Sequence, residues 1–198
     1  MLRISFFAFW LTLATFAATT LTAWHSVTLP TEPTRAKSGR SHPGKWLLTH
    51  FLSADCLCSQ ALARHLQARG PLAAADEEVV VIGPVDSSAH RDTAQRKMIE
   101  SLNRAGFQAA TMTMEAAASQ EGVEGVPLLN VTGPDGIIRF RGGYRDRGAP
   151  PDRYLEVAIL TSLRASQPVP ATRVYGCATS RRLRTLLDPL SLKSLSLP

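Results

Sequence analysis

Residues Trp46 to Ser53 (WLLTHFLS) form a short apolar run, and two cysteines follow within a few positions, in ADCLC. This constrains the chain more than any other feature. Such a run, bounded by polar residues, reads as a buried strand. The residues after the cysteines, SQALARHLQAR, have helical spacing and end at Gly70-Pro71. Ala61, Leu62, His65, Leu66 and Arg69 share one face of that helix, and Gln60, Arg64 and Gln67 share another. The cysteines therefore fall where a strand turns into a helix. There the positive end of the helix dipole and unpaired backbone N–H groups favour a thiolate. Asp55 opposes this, because a neighbouring anion raises a thiol pKa.

The pattern continues in the same style. Val79 to Pro84 (VVVIGP) reads as a second buried strand, rich in β-branched residues. Arg91 to Arg104 reads as a helix stopped by Gly106. Phe107 to Met114 reads as a short strand and Glu115 to Glu121 as a short helix. Another strand begins at Val126-Pro127. Gly133-Pro134-Asp135-Gly136 signals a turn, and Ile137 to Tyr144 returns as a hairpin partner. Asp152 is placed to cap a last helix through Ala165, with Tyr154, Leu155, Ala158, Ile159 and Leu163 inward. Early βαβ units that end in an antiparallel hairpin describe a mixed α/β sheet flanked by helices.

The N-terminal segment Ile4 to Ala23 is uncharged and follows Arg3. Its length suits a membrane span, and its layout also suits a secretory signal. Residues 1–25 are thus expected to be a transmembrane anchor or a signal peptide. Residues 26–45 read as a polar linker, 46–166 as the folded domain and 167–198 as a C-terminal tail. In a bacterium either export reading places the domain in the periplasm, anchored to the membrane or secreted, where thiol oxidation is permitted.

Charge supports this division. Residues 46–166 carry 12 Lys and Arg against 14 Asp and Glu, a net of −2, while the flanks carry +4 on each side. Basic flanks around a near-neutral domain suit a membrane surface and argue against nucleic-acid binding. Arg181 to Leu190 (RRLRTLLDPL) reads as solvated tail or as a short basic amphipathic helix.

Three cysteines, Cys56, Cys58 and Cys177, are too few for a disulfide framework and lack the spacing of a structural zinc site. By helical phase Cys56 continues the polar face of Ser59, Gln60 and Ala63, and Cys58 the apolar face. Cys56 is therefore expected to be the exposed attacker and Cys58 the sheltered resolver. Direct pairing between them needs a non-helical turn. Cys177 is either an inert tail cysteine or a resolving partner for one of the other two. His50 and His65 are candidate redox-tuning or ligand residues as well as ordinary packed ones. No phosphate loop is present, and no cofactor or metal is expected.

Phe51-Leu-Ser-Ala-Asp-Cys56-Leu-Cys58-Ser59, Gly122-Val-Glu-Gly-Val126-Pro127-Leu, Gly133-Pro-Asp-Gly136 and Arg141-Gly142-Gly143 together resemble the thioredoxin-like superfamily. The resemblance spans roughly Lys45 to Ala165 and leans towards exported, membrane-tethered redoxins of the RedB-like kind. The departure is Cys-x-Cys in place of Cys-x-x-Cys, with Ser59 at the usual second position. The resemblance implies a cis bond at Val126–Pro127, with Pro127 facing the cysteine motif and the preceding backbone free to pair with a substrate strand. It implies thiol–disulfide exchange on protein substrates such as an apocytochrome or a cuproprotein, with Cys56, Cys58 and Pro127 in the catalytic site. Two other functions stay open: a copper-handling binding protein, because soft sulfur suits Cu(I), and a redox-inactive scaffold. Copper handlers of this superfamily use a wider cysteine spacing and a distant histidine, and no histidine follows His90.

Overall fold

The computed structural model describes residues 2–25, 40, 42–83, 89–145, 154–180, 183 and 185. Of the linker, residues 40 and 42–45 are described, and Arg40 and His42 pair with Glu78 and Asp76 of the domain. Asp152 and most of Arg181–Leu190 lie outside the described residues.

Helix α1 spans Leu2–His25. No helix among the described residues is long and apolar enough to cross a membrane. The transmembrane reading of residues 1–25 is thus not supported. Five threonines dilute the apolar run. Three of them turn their hydroxyls back onto the helix: Thr12 donates to the carbonyl of Ala8, Thr15 to that of Leu11 and Thr19 to that of Thr15.

The domain follows the order read from the sequence. Strand β1 (Leu47–Leu52) leads to α2 (Leu57–Arg69), β2 (Asp76–Gly83), α3 (Ala89–Arg104) and β3 (Gln108–Thr113). Then come α4 (Met114–Glu121), β4 (Gly125–Val126), β5 (Leu128–Thr132), β6 (Ile138–Gly142), α5 (Glu156–Arg164) and β7 (Cys177–Ala178). The main sheet has the order β3-β2-β1-β5-β6. Strands β1, β2 and β3 are parallel, as their crossover helices require, and β5 runs antiparallel to both β1 and β6. The hairpin turns at Gly136, whose φ of 77° is in the left-handed region.

Alternation along each central strand fills two cores. Leu48, Leu52, Val79, Val81, Leu129 and Val131 pack with Leu62 and Leu66 of α2, Leu102 of α3 and Ile159 and Leu160 of α5. Phe51, Val80, Ile82 and Leu128 face the other side, with Ala117 of α4, Val126 and Val174. Burying each such side chain contributes about 1.5–3 kcal/mol before chain entropy is counted.

Three sequence expectations need correcting. First, the buried stripe of α2 is Ser59, Leu62, Ala63 and Leu66. It keeps Leu62 and Leu66 of the face read as apolar and adds small Ser59 and Ala63, which admit close approach, while Arg64 stays exposed. Second, α5 begins at Glu156 and buries Glu156, Ile159 and Leu160, whereas Ala158 is exposed. Third, residues 172–180 are packed against the domain although the sequence sets them in the tail. Thr172 Oγ1 donates to the carbonyl of Gly143, Val174 is fully buried, and β7 pairs antiparallel with β4.

Candidate active site

Strand β1 delivers Cys56 to the start of α2. The Cys56 N–H donates to the Ser53 carbonyl at 3.2 Å, and Cys56 is the extended N-cap residue of the helix. Its side chain extends the buried stripe Ser59–Ala63–Leu66 back by one turn. Cys56 is therefore only 1% exposed, and Cys58, two positions on, is exposed. This reverses the expected exposures.

The Val126–Pro127 bond is cis, as the resemblance implies. It divides β4 from β5 and leaves the Val126 carbonyl 3.8 Å from Cys56 Sγ, which donates to it as a thiol. Val126 is also the bridge partner of Cys177, and Gly125 that of Ala178. The backbone before Pro127, expected to be free, is thus occupied by the chain's own C-terminal segment. Cys177 packs in the same apolar cluster as Cys56. None of the three cysteines is in a disulfide.

These contacts decide the ionisation of Cys56. Hydrogen bonds from the Cys177 thiol, and then from the Cys58 thiol, pull its pKa from 9.0 down to about 2. Burial opposes them, while the backbone N–H and hydroxyl of Ser59 add to the lowering. The Cys58 thiol is pushed up, first because it donates to Cys56 and then through burial and the charge on Cys56, with Arg145 pulling the other way. Of the two thiols, these contacts favour ionisation of Cys56, the buried one.

Beside Cys58 lies a cleft of about 240 Å³, lined among others by Leu57, Pro127, Tyr144, Arg145, Tyr154 and Tyr175. Leu57 is 76% exposed at its mouth. Arg145 lies 5.1 Å over the Tyr154 ring, a cation–π contact. Behind the cleft runs a buried polar chain. Tyr144 Oη is 2.7 Å from His50 Nδ1, and His50 Nε2 is 3.2 Å from Glu77 Oε1. Glu77 also accepts from both terminal nitrogens of Arg69 and from the Leu72 N–H. Burial is the largest single influence on Glu77 and raises its pKa. The hydrogen bonds from His50, Arg69 and Leu72 together outweigh it and hold the carboxyl at about 2. His65 Nε2 sits 2.6 Å from Glu156 Oε1, and its ring stacks on Tyr154. The two histidines singled out from the sequence are thus both paired with carboxylates. No group of three or more His, Cys, Asp or Glu residues able to hold a metal occurs among the described residues.

Sequence reasoning gave no functional part to Tyr144, Arg145, Tyr154 or Tyr175, and it did not foresee that the Cys177 segment occupies the Val126 edge. One signal was available for the last: in Arg173-Val-Tyr-Gly-Cys-Ala-Thr a buried-type residue and a glycine precede the cysteine, as in a strand that must approach another backbone closely.

No family model matches the chain, and no curated protein matches it in sequence. Among solved structures it is similar to an uncharacterized conserved protein from Geobacillus kaustophilus, at 16% identity and a TM-score of 0.51, covering 78% of this chain and 94% of that one. A hypothetical protein from Sinorhizobium meliloti 1021 gives 17% identity and a TM-score of 0.51, covering 78% and 96%. A secreted disulfide oxidoreductase from Mycobacterium tuberculosis overlaps at 15% identity and a TM-score of 0.39, covering 62% and 83%. The first two likenesses bear on the fold alone. The five-stranded mixed sheet flanked by helices fits a thioredoxin-like fold.

Proposed function

We propose that this chain is an exported thiol–disulfide oxidoreductase that acts on protein disulfides through Cys56. The observation that carries the reading is the convergence of two further thiols, Cys177 and Cys58, on one sulfur at a helix N-terminus. A charged sulfur so held is a nucleophile at neutral pH. On this reading the chain is a redoxin of the RedB-like kind, with Cys-x-Cys in place of Cys-x-x-Cys.

The exchange runs in two steps. The Cys56 thiolate attacks one sulfur of a substrate disulfide. That S–S bond breaks, a mixed disulfide forms, and the second substrate sulfur leaves as a thiolate that takes a proton from water. The Cys177 thiolate then attacks Cys56 Sγ. The mixed disulfide breaks, and the first substrate sulfur leaves in the same way. Two electrons have passed to the substrate, and Cys56–Cys177 is the oxidised product, to be reset by a dithiol reductant. The reverse sequence oxidises a substrate dithiol. Cys177 takes the resolving role first expected of Cys58, because its thiol hydrogen-bonds Cys56 within one apolar cluster while Cys58 is exposed. Cys58, exposed beside the cleft, acts as the hydrogen-bond donor that steadies the Cys56 charge.

The test is reduction of a disulfide-bonded model protein by the full chain. Cys56→Ser should abolish turnover, and Cys177→Ser should accumulate the mixed disulfide on Cys56. Full turnover by Cys56→Ser refutes the proposal. Export belongs to the same proposal and rests on the basic, uncharged-apolar layout of residues 1–25.

A further inference from the structure

Cys56 is 1% exposed, so no external disulfide reaches its sulfur unless something covering it moves. The covers differ in how firmly they are held. Strand β1 is paired on both sides, and α2 is anchored by Leu62 and Leu66 in the main core. Strand β7 is held by a two-residue ladder to β4, by the Thr179 and Ser180 N–H groups donating to the Glu124 carbonyl, and by Thr179 Oγ1 donating to the Val123 carbonyl. It follows a mostly exposed stretch, residues 165–171, and lies just beyond buried Val174. It is the cover that lifts most easily.

The seat it fills has a defined shape. A Cβ on Gly176 would stand 1.8 Å from the Val126 carbonyl oxygen and 2.8 Å from Pro127 Cδ. Only a residue without a side chain passes this point, and the next residue presents its sulfur to Cys56. We infer that β7 is a tethered stand-in for the substrate. The β4 edge binds an extended glycyl-cysteine segment of a partner protein by strand exchange, with β7 leaving as the partner docks and returning to resolve the mixed disulfide. This rests on the redox reading above and adds to it a substrate class and an order of events. An edge strand beside a reactive sulfur recognises backbone through its ladder and side chains through alternate positions, and here the selective position is the one before the cysteine.

The experiment uses the full chain carrying Cys58→Ser and Cys177→Ser, so that Cys56 is the reporting thiol. Two synthetic peptides are compared, Val-Tyr-Gly-Cys-Ala-Thr and Val-Tyr-Val-Cys-Ala-Thr, each with its cysteine activated as a mixed disulfide with thionitrobenzoate. The Cys56 thiolate attacks the peptide sulfur, and the coloured arylthiolate leaves. The glycyl peptide should react at least about tenfold faster, the size of a steric clash of about 1.4 kcal/mol. In the same background Gly176→Val should speed iodoacetamide labelling of Cys56 about tenfold by lifting β7. Thr179→Ala, which removes one hydrogen bond and leaves the glycine intact, should speed it less, and provides the same reading if the valine variant does not fold. Equal rates for the two peptides, or labelling unchanged in folded variants, overturn the inference while leaving the redox reading in place. Release from neither peptide between about pH 7 and 10, a range in which Cys56 ionises even without its two thiol donors, sinks both.

Discussion

Cys177 and Val126 face one another across an antiparallel bridge, and the Val126 carbonyl lies 3.8 Å from Cys56 Sγ. A cysteine from the far end of the chain is thereby held beside a helix-capping sulfur, and most expectations about this protein follow from that placement.

The acidity of Cys56 should depend on Cys177 more than on Cys58, since the Cys177 thiol is the largest influence on it. Cys177→Ala is expected to raise the Cys56 pKa, and Cys58→Ala to raise it less. Titration of thiolate ultraviolet absorbance in the full chain reads both. A larger rise in the Cys58 variant would reverse the assignment of the resolving thiol.

Labelling of the two sulfurs should respond differently to pH. Cys56, held at about 2, is already ionised at neutral pH, so its slow labelling should be nearly flat between about pH 5 and 8. Cys58, whose pKa is raised, should label about tenfold faster for each pH unit gained. Peptide mapping after timed alkylation separates them, and parallel profiles at both positions would be the contrary result.

Glu77 ties β2 to α2 and β1 through Arg69 and His50. Its folded pKa lies below its usual value of 4.5, so its stabilisation is complete above that value and is lost as pH falls through about 2. The difference corresponds to about 3 kcal/mol. Glu77→Gln should cost about 3 kcal/mol in urea unfolding at pH 7, and the deficit should shrink towards pH 2. A deficit independent of pH would show that the charge is not what matters.

Gly143→Ala should loosen the C-terminal segment, because the added Cβ would stand 2.2 Å from the Arg173 carbonyl oxygen. The expected loss is about 1–3 kcal/mol, with faster hydrogen exchange at Thr179 and Ser180. Unchanged exchange there would mean that Thr172 and Arg173 do not anchor β7.

Export can be read by a reporter active only in an oxidising compartment, fused after Pro198. Activity is expected there. Activity of a cytoplasm-only reporter at the same junction would remove the export proposal.

Much of this was legible in the sequence. Short apolar runs marked β1 and β2, alternation marked β6, and spacing near 3.6 marked α2 and α5. The turn at Gly133–Gly136 marked the hairpin, and Cys56 was placed at a helix start because local pattern alone determines where a strand turns into a helix. The face of α2 that would be buried was not legible. Cys56, Ser59, Leu62, Ala63 and Leu66 form one valid stripe, and Ala61, Leu62, His65 and Leu66 another. The choice is made by what packs against the helix: Leu62, Ala63 and Leu66 meet the sheet, while Cys56 enters the cluster around Val126 and Val174 on its other side. The partnership of His50, Glu77 and Tyr144 was hidden for the same reason, since each residue comes from a different segment. Cys177 is the clearest case. Its neighbours in sequence show a thiol in a short extended run, and nothing in that run names Val126. Only the folded chain joins β7 to β4, because backbone hydrogen bonding between distant segments is specified by which edges the assembled core leaves open, and here Gly142, Gly143 and Gly176 leave room for the segment to lie against them.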